Sequence, residues 1–66
     1  MITDLEIYQA AKLLLDRYKE AAAERAERRA SELWNDGDAY GAAIWRQILK
    51  AVHELTRSRR KDEPVN

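Results

Sequence analysis

The chain has 66 residues, which is enough for one small domain and too few for two. Its 12 basic and 12 acidic residues cancel, so net charge does not draw the whole chain to nucleic acid or to an anionic membrane. It contains no cysteine, which excludes disulfides and thiolate metal sites. The first residues lack the basic segment and long apolar run of a signal peptide, so we expect a cytoplasmic protein that does not enter the membrane.

A long first helix is predicted for residues 4–34. Thr3 and Glu6 have the spacing of a capping box, in which each side chain accepts a hydrogen bond from the other residue's backbone N–H. Neither glycine nor proline interrupts the segment. Apolar residues recur along it at spacings of three and four: Leu5, Tyr8, Ala11, Leu15, Tyr18, Ala22, Ala26, Ala30 and Leu33. This period predicts one continuous helix with a single apolar stripe.

The segment 35–38, with the sequence Asn-Asp-Gly-Asp, is the only strong helix breaker between Thr3 and Ser58. Gly37 can adopt the left-handed conformation that commonly ends a helix. Asp38 can then cap the next helix with its side-chain oxygen. Because both flanking segments are helical, this turn predicts an antiparallel helical hairpin.

A second helix is predicted for residues 39–57. Its apolar residues form one face of the helical wheel: Gly41, Ile44, Trp45, Ile48, Ala51, Val52 and Leu55. Its polar face carries Arg46, Lys50, His53 and Arg57. Residues 59–66 are charged, lack an apolar stripe and contain Pro64, which predicts a disordered tail after a single helical domain of residues 1–58.

The lengths of the two helices suggest how the domain assembles. They would measure about 46 Å and about 28 Å, so the second helix covers the first only as far as about Leu15. The apolar residues nearer the N-terminus would then be uncovered, namely Leu5, Ile7, Tyr8, Ala11 and Leu14. We therefore expect two hairpins to form a homodimeric four-helix bundle. The alternative is a three-helix bundle in which the first helix breaks near residues 18–20.

The second half of the chain carries a pattern of three motifs: Ala-x-x-x-Ala-x-Glu-Leu, then Gly-Asp-x-x-Gly, then Trp-x-x-Ile-Leu-x-Ala-x-x-Glu-Leu. Its positions are Ala26, Ala30, Glu32, Leu33, Gly37, Asp38, Gly41, Trp45, Ile48, Leu49, Ala51, Glu54 and Leu55. This pattern resembles that of a family of short, uncharacterised bacterial helical proteins, and a weaker match extends back to Leu5. In that family a glycine often ends the first apolar segment near the position of Lys19. The resemblance implies the same helix boundaries and carries no activity.

No segment has the residue spacing of a catalytic or metal site. The Asp36-Gly37-Asp38 segment starts like a calcium loop, but the later oxygen ligands of such a loop are missing. His53 has no carboxylate or second histidine three or four residues away, so a solvated histidine is favoured. Four carboxylates form an acidic outer face on the first helix: Asp16, Glu20, Glu24 and Glu27. Two helices offer little cleft to shift their pKa values, so we expect neither an enzyme nor a cofactor.

The sequence thus favours a non-enzymatic protein-interaction or assembly module. The residues predicted to contact a partner or a second copy are Leu5, Tyr8, Leu15, Tyr18, Trp34, Trp45, Ile48 and Val52. A nucleic-acid-associated regulator is the alternative, and its predicted contacts are Arg46, Lys50, Arg57, Arg59 and Arg60. A further alternative is a small protein inhibitor, such as a phage anti-defence factor.

Overall fold

The computed structural model describes the backbone of residues 2–62 and the side chains as far as Ser58. Three α-helices account for most of this part: α1 (Asp4–Tyr18), α2 (Ala22–Asn35) and α3 (Ala39–Asp62). A short 3-10 helix, Lys19–Ala21, joins α1 to α2. No strand occurs between residues 2 and 62, and the prediction of an all-α protein is confirmed.

The start of α1 follows from its capping box. The Glu6 N–H donates to the Thr3 hydroxyl oxygen at 3.2 Å, and the Thr3 N–H donates to the Glu6 carboxylate at 3.2 Å. Two backbone donors that the helix itself leaves unpaired are thereby satisfied. The predicted first residue of the helix, Asp4, is the observed one.

The prediction of one continuous helix over residues 4–34 is wrong at residues 19–21. Lys19 has φ of 53° and ψ of −121°, a combination that L-residues rarely adopt, and α1 ends before it. The break lies where the alternative prediction placed it. Helix propensity favoured continuity here, but packing overrides it: the turn lets Ile7 and Ala11 become buried, whereas a straight helix would leave them uncovered.

The turn between α2 and α3 has the predicted chemistry. Gly37 is left-handed, with φ of 85°, and the Asp38 N–H donates to the Leu33 carbonyl at 2.8 Å. The Asp38 carboxylate accepts a hydrogen bond from the Gly41 N–H at 2.8 Å and so caps α3. A Cβ on Gly41 would lie 2.5 Å from that carboxylate, which explains why the smallest residue stands inside the first turn of α3.

The last helix is longer than the sequence predicts. The apolar pattern ends near Arg57, but α3 continues to Asp62 and takes in the first four residues of the predicted tail. Arg59, Arg60 and Lys61 are good helix formers, and cations suit the C-terminal end of the helix dipole. The rest of that tail, residues 63–66, lies outside the described residues.

The core forms where α1 and α2 both pack against α3. Its buried members are Ile7, Ala11, Leu15, Ala22, Ala26, Ile48, Ala51 and Val52. The alanines of α2 let its backbone approach α3 closely, while α1 and α3 supply the larger side chains. Among the described residues no polar or charged side chain is buried, so the polar side chains are left on the surface.

Candidate functional site

Two large aromatic side chains lie exposed on either side of the turn. Trp34 stands near the end of α2 with 57% of its surface exposed, and Tyr40 near the start of α3 with 66% exposed. We call this pair the aromatic surface. Tryptophan is usually well buried in a folded domain, so an exposed one needs a reason. An exposed aromatic ring with little rotamer entropy is a common anchor for a binding partner.

A row of basic side chains begins beside the aromatic surface and runs along α3. The guanidinium of Arg46 lies over the Trp34 ring, 5.5 Å from its centroid. Lys50, His53 and Arg57 follow at helical spacing, and all four side chains are exposed. We call these four residues the basic face. The stacking of Arg46 on Trp34 makes the aromatic surface and the basic face continuous.

The basic face borders a shallow groove of about 390 Å³. Its lining adds Leu49 and Glu54 to the four basic-face residues. Leu49 is half-buried and packs against the core, so the groove has a partly apolar floor. Among the described lining residues Glu54 is the one carboxylate, and it accepts a hydrogen bond from the Tyr8 hydroxyl of α1. The groove therefore presents Arg46, Lys50 and Arg57 around one apolar side chain, Leu49.

The hydrogen bond from Tyr8 to Glu54 ties α1 to α3. The pKa of Tyr8 is raised above its ordinary value of 10.0, first by this hydrogen bond to the carboxylate, then by desolvation and by the charges of Glu54 and Asp4. The folded state thus favours the neutral hydroxyl. This contribution to stability is complete below pH 10 and is lost as the pH rises through the raised pKa.

We expect the melting temperature of the protein to exceed that of Tyr8→Phe at pH 8, and this difference to shrink as the pH rises above 10. Thermal unfolding by circular dichroism at several pH values would measure it. All other ionisable groups are common to both proteins, so their contributions cancel in the difference. A difference that stays constant to pH 11 would contradict the linkage.

The residues predicted to form a partner or dimer interface fall into three groups. Leu15, Ile48 and Val52 are buried within the single chain, so the structure gives them an intramolecular role instead. Tyr18 and Trp45 are half-buried and pack against the core, and Arg25 stacks on the Tyr18 ring at 4.5 Å. The exposed members are Leu5, Tyr8 and Trp34. The homodimer stays a prediction, but packing of α1 against α3 buries Ile7 and Ala11, two of the five residues whose predicted exposure motivated it.

Of the predicted nucleic-acid contacts, Arg46, Lys50 and Arg57 are exposed and lie together on the basic face. Arg59 and Arg60 belong to α3, but their side chains lie outside the described residues. Sequence reasoning left Tyr40 and Leu13 off its lists of contacts, although Leu13 is 71% exposed. The position of Leu13 opposite the Ile7–Ala11–Leu15 stripe on the helical wheel could have revealed it.

No group of three metal-ligating side chains occurs within the part of the chain that the structure describes. In the same part, none of the helices combines the length and apolar character needed to cross a membrane. No protein-family model matches the sequence, and neither the curated proteins nor the solved structures give a significant match. The resemblance to short bacterial helical proteins therefore stays a prediction.

Proposed function

We propose that this protein is a non-enzymatic protein-interaction module that binds its partner through the aromatic surface. The observation that carries the proposal is the exposure of Trp34 at the end of α2 while the aliphatic core packs elsewhere. Removing an exposed tryptophan and tyrosine from water on binding provides a large hydrophobic gain at low entropic cost. The homodimer and the small protein inhibitor predicted from the sequence are both forms that such a module takes.

A pull-down from a lysate of the native host tests this proposal. The double variant Trp34→Ala with Tyr40→Ala should lose the captured partner, because interface aromatics typically cost 2 kcal/mol or more when truncated, or roughly 30-fold in affinity. Its circular dichroism spectrum and melting temperature should change little, since both rings are mostly exposed. Trp45→Ala would be a poor choice, because that ring packs against the core and its loss threatens the fold.

The matched control removes two exposed apolar side chains at another place. Leu5→Ala with Leu13→Ala truncates residues of α1 that are 67% and 71% exposed. This control should keep the partner if the aromatic surface is the binding site. Equal capture by both double variants would contradict the proposal, and capture lost only in the control would move the site to α1.

A nucleic-acid-associated regulator is the second candidate, because the basic face brings Arg46, Lys50 and Arg57 together. Phosphate contacts by these residues would make binding fall steeply with salt. Against it, the affinity of such a regulator would rest on phosphate contacts, and among the described residues the basic face offers three fixed cations for them. We therefore place protein recognition first.

A further inference from the structure

The formal neutrality of the chain conceals a strong segregation of charge. The α3 segment contains six basic and two acidic residues, so it carries a formal charge of +4. The rest of the chain therefore carries −4. Because the Debye length is about 8 Å in physiological salt, a partner on α3 responds mainly to the local charge and not to the net charge. The equal numbers of basic and acidic residues in the whole chain therefore do not argue against an anionic partner for α3.

The basic face is built to hold separated negative charges along a line. Residues 46, 50, 53 and 57 follow one another at intervals of four, three and four, so their side chains lie on one side of the helix. Arg46, Lys50 and Arg57 are the cations of this face, and His53 adds a hydrogen-bonding ring between the last two. Glu54 lies at the edge of the face, where the Tyr8 hydroxyl donates to its carboxylate. Half-buried Leu49 provides one apolar side chain between the cations.

We propose that the basic face docks an acidic amphipathic helix of a partner protein. The partner's carboxylates would repeat at spacings of three and four and flank an apolar side chain that lies on Leu49. This inference rests on the proposed function, whose aromatic surface the stacking of Arg46 on Trp34 joins to the basic face. Opposite charges at matching intervals would set the register of the two helices, and Leu49 would add hydrophobic contact.

Two other anionic partners fit the same surface less well. A single-stranded nucleic acid stacks successive bases on aromatic rings, whereas the basic face itself contains no tryptophan or tyrosine and Arg46 already covers a face of Trp34. A membrane surface would need large apolar side chains that insert, and Leu49 is half-buried in the floor of the groove. An acidic amphipathic helix offers carboxylates to the cations of the basic face and an apolar side chain to Leu49.

Three labelled probes test the proposal by fluorescence anisotropy with the full chain. The first is a helical peptide of about 20 residues in which Glu recurs at three- and four-residue spacing around a central Leu. The others are a single-stranded oligothymidylate and a DNA duplex of similar length. We expect the acidic peptide to bind more tightly than either nucleic acid, with an affinity that falls as salt is added.

The decisive variant is Lys50→Glu with Arg57→Glu, which should weaken peptide binding at least roughly tenfold. The matched control is Lys12→Glu with Arg17→Glu, which changes the net charge equally but alters exposed cations of α1. The control should stay within about twofold of the unmodified protein. Circular dichroism of each variant establishes that it is folded.

Four results would overturn the proposal: no peptide binding at low salt, equal weakening in both double variants, tighter binding of an oligonucleotide than of the peptide, or peptide binding unchanged in the decisive variant. Its failure is distinct from that of the proposed function. A partner from the lysate that needs Trp34 and Tyr40 but tolerates charge reversal at residues 50 and 57 would leave the proposed function standing and remove the acidic helix. If instead the peptide binds and needs residues 50 and 57, but no lysate partner depends on the aromatic surface, the acidic-helix site would stand and the aromatic surface would be removed as the binding site.

Discussion

Ile7→Ala is expected to lower the free energy of unfolding by about 2–3 kcal/mol. Ile7 is 5% exposed, and its side chain lies beside Ala51 of α3 within the core. Removing three carbons there loses the transfer free energy of the buried surface and leaves a cavity that neighbouring alanines cannot fill. In a small domain this is a large fraction of the total stability. Urea denaturation followed by circular dichroism would measure the loss.

Leu13→Ala is the control for this measurement, since Leu13 stands on the same helix and is 71% exposed. We expect it to change stability by less than about 0.5 kcal/mol, the range of exposed surface positions. The comparison is sensitive to the docking of α1. If α1 instead continued straight into α2, Ile7 would be as exposed as Leu13 and the two variants would cost about the same.

The helix termini were predictable because each depends on a few neighbouring residues. The Thr3–Glu6 box fixes the start of α1, and Gly37 with Asp38 fixes the turn, through hydrogen bonds that span three or four residues. The break at Lys19 was not predictable in the same way. No local signal requires it, and the chain turns there because α1 gains more by packing on α3 than a continuous helix gains from its hydrogen bonds.

The residues of the candidate site differ in the same way: local spacing predicts some of them, and tertiary packing decides the others. The basic face could be read from the sequence, because a spacing of three and four places Arg46, Lys50 and Arg57 on one side of any helix. The exposure of Trp34 could not, since an aromatic residue near the apolar stripe is more often buried. Likewise Leu15 was assigned to a partner interface because a straight hairpin would end beside it. Once α1 folds onto α3, the same residue belongs to the core.

Lys19→Gly should raise the free energy of unfolding by about 1 kcal/mol, the reverse of what glycine normally does within a helical segment. Lys19 has φ of 53°, where a side chain is strained by roughly 1–3 kcal/mol and glycine is not. Relief of this strain outweighs the extra conformational entropy that glycine gives the unfolded chain. Urea denaturation would measure the gain.

The control is Glu20→Gly, one residue further on, where φ is not positive. Glycine at that position should cost about 0.5–1 kcal/mol, because it only adds freedom to the unfolded chain. The two substitutions place the same residue at adjacent positions, and opposite signs are expected from the backbone angles alone. If residues 4–34 formed an uninterrupted helix, both variants would lose about 1 kcal/mol of unfolding free energy. That result would contradict the docking of α1 on α3.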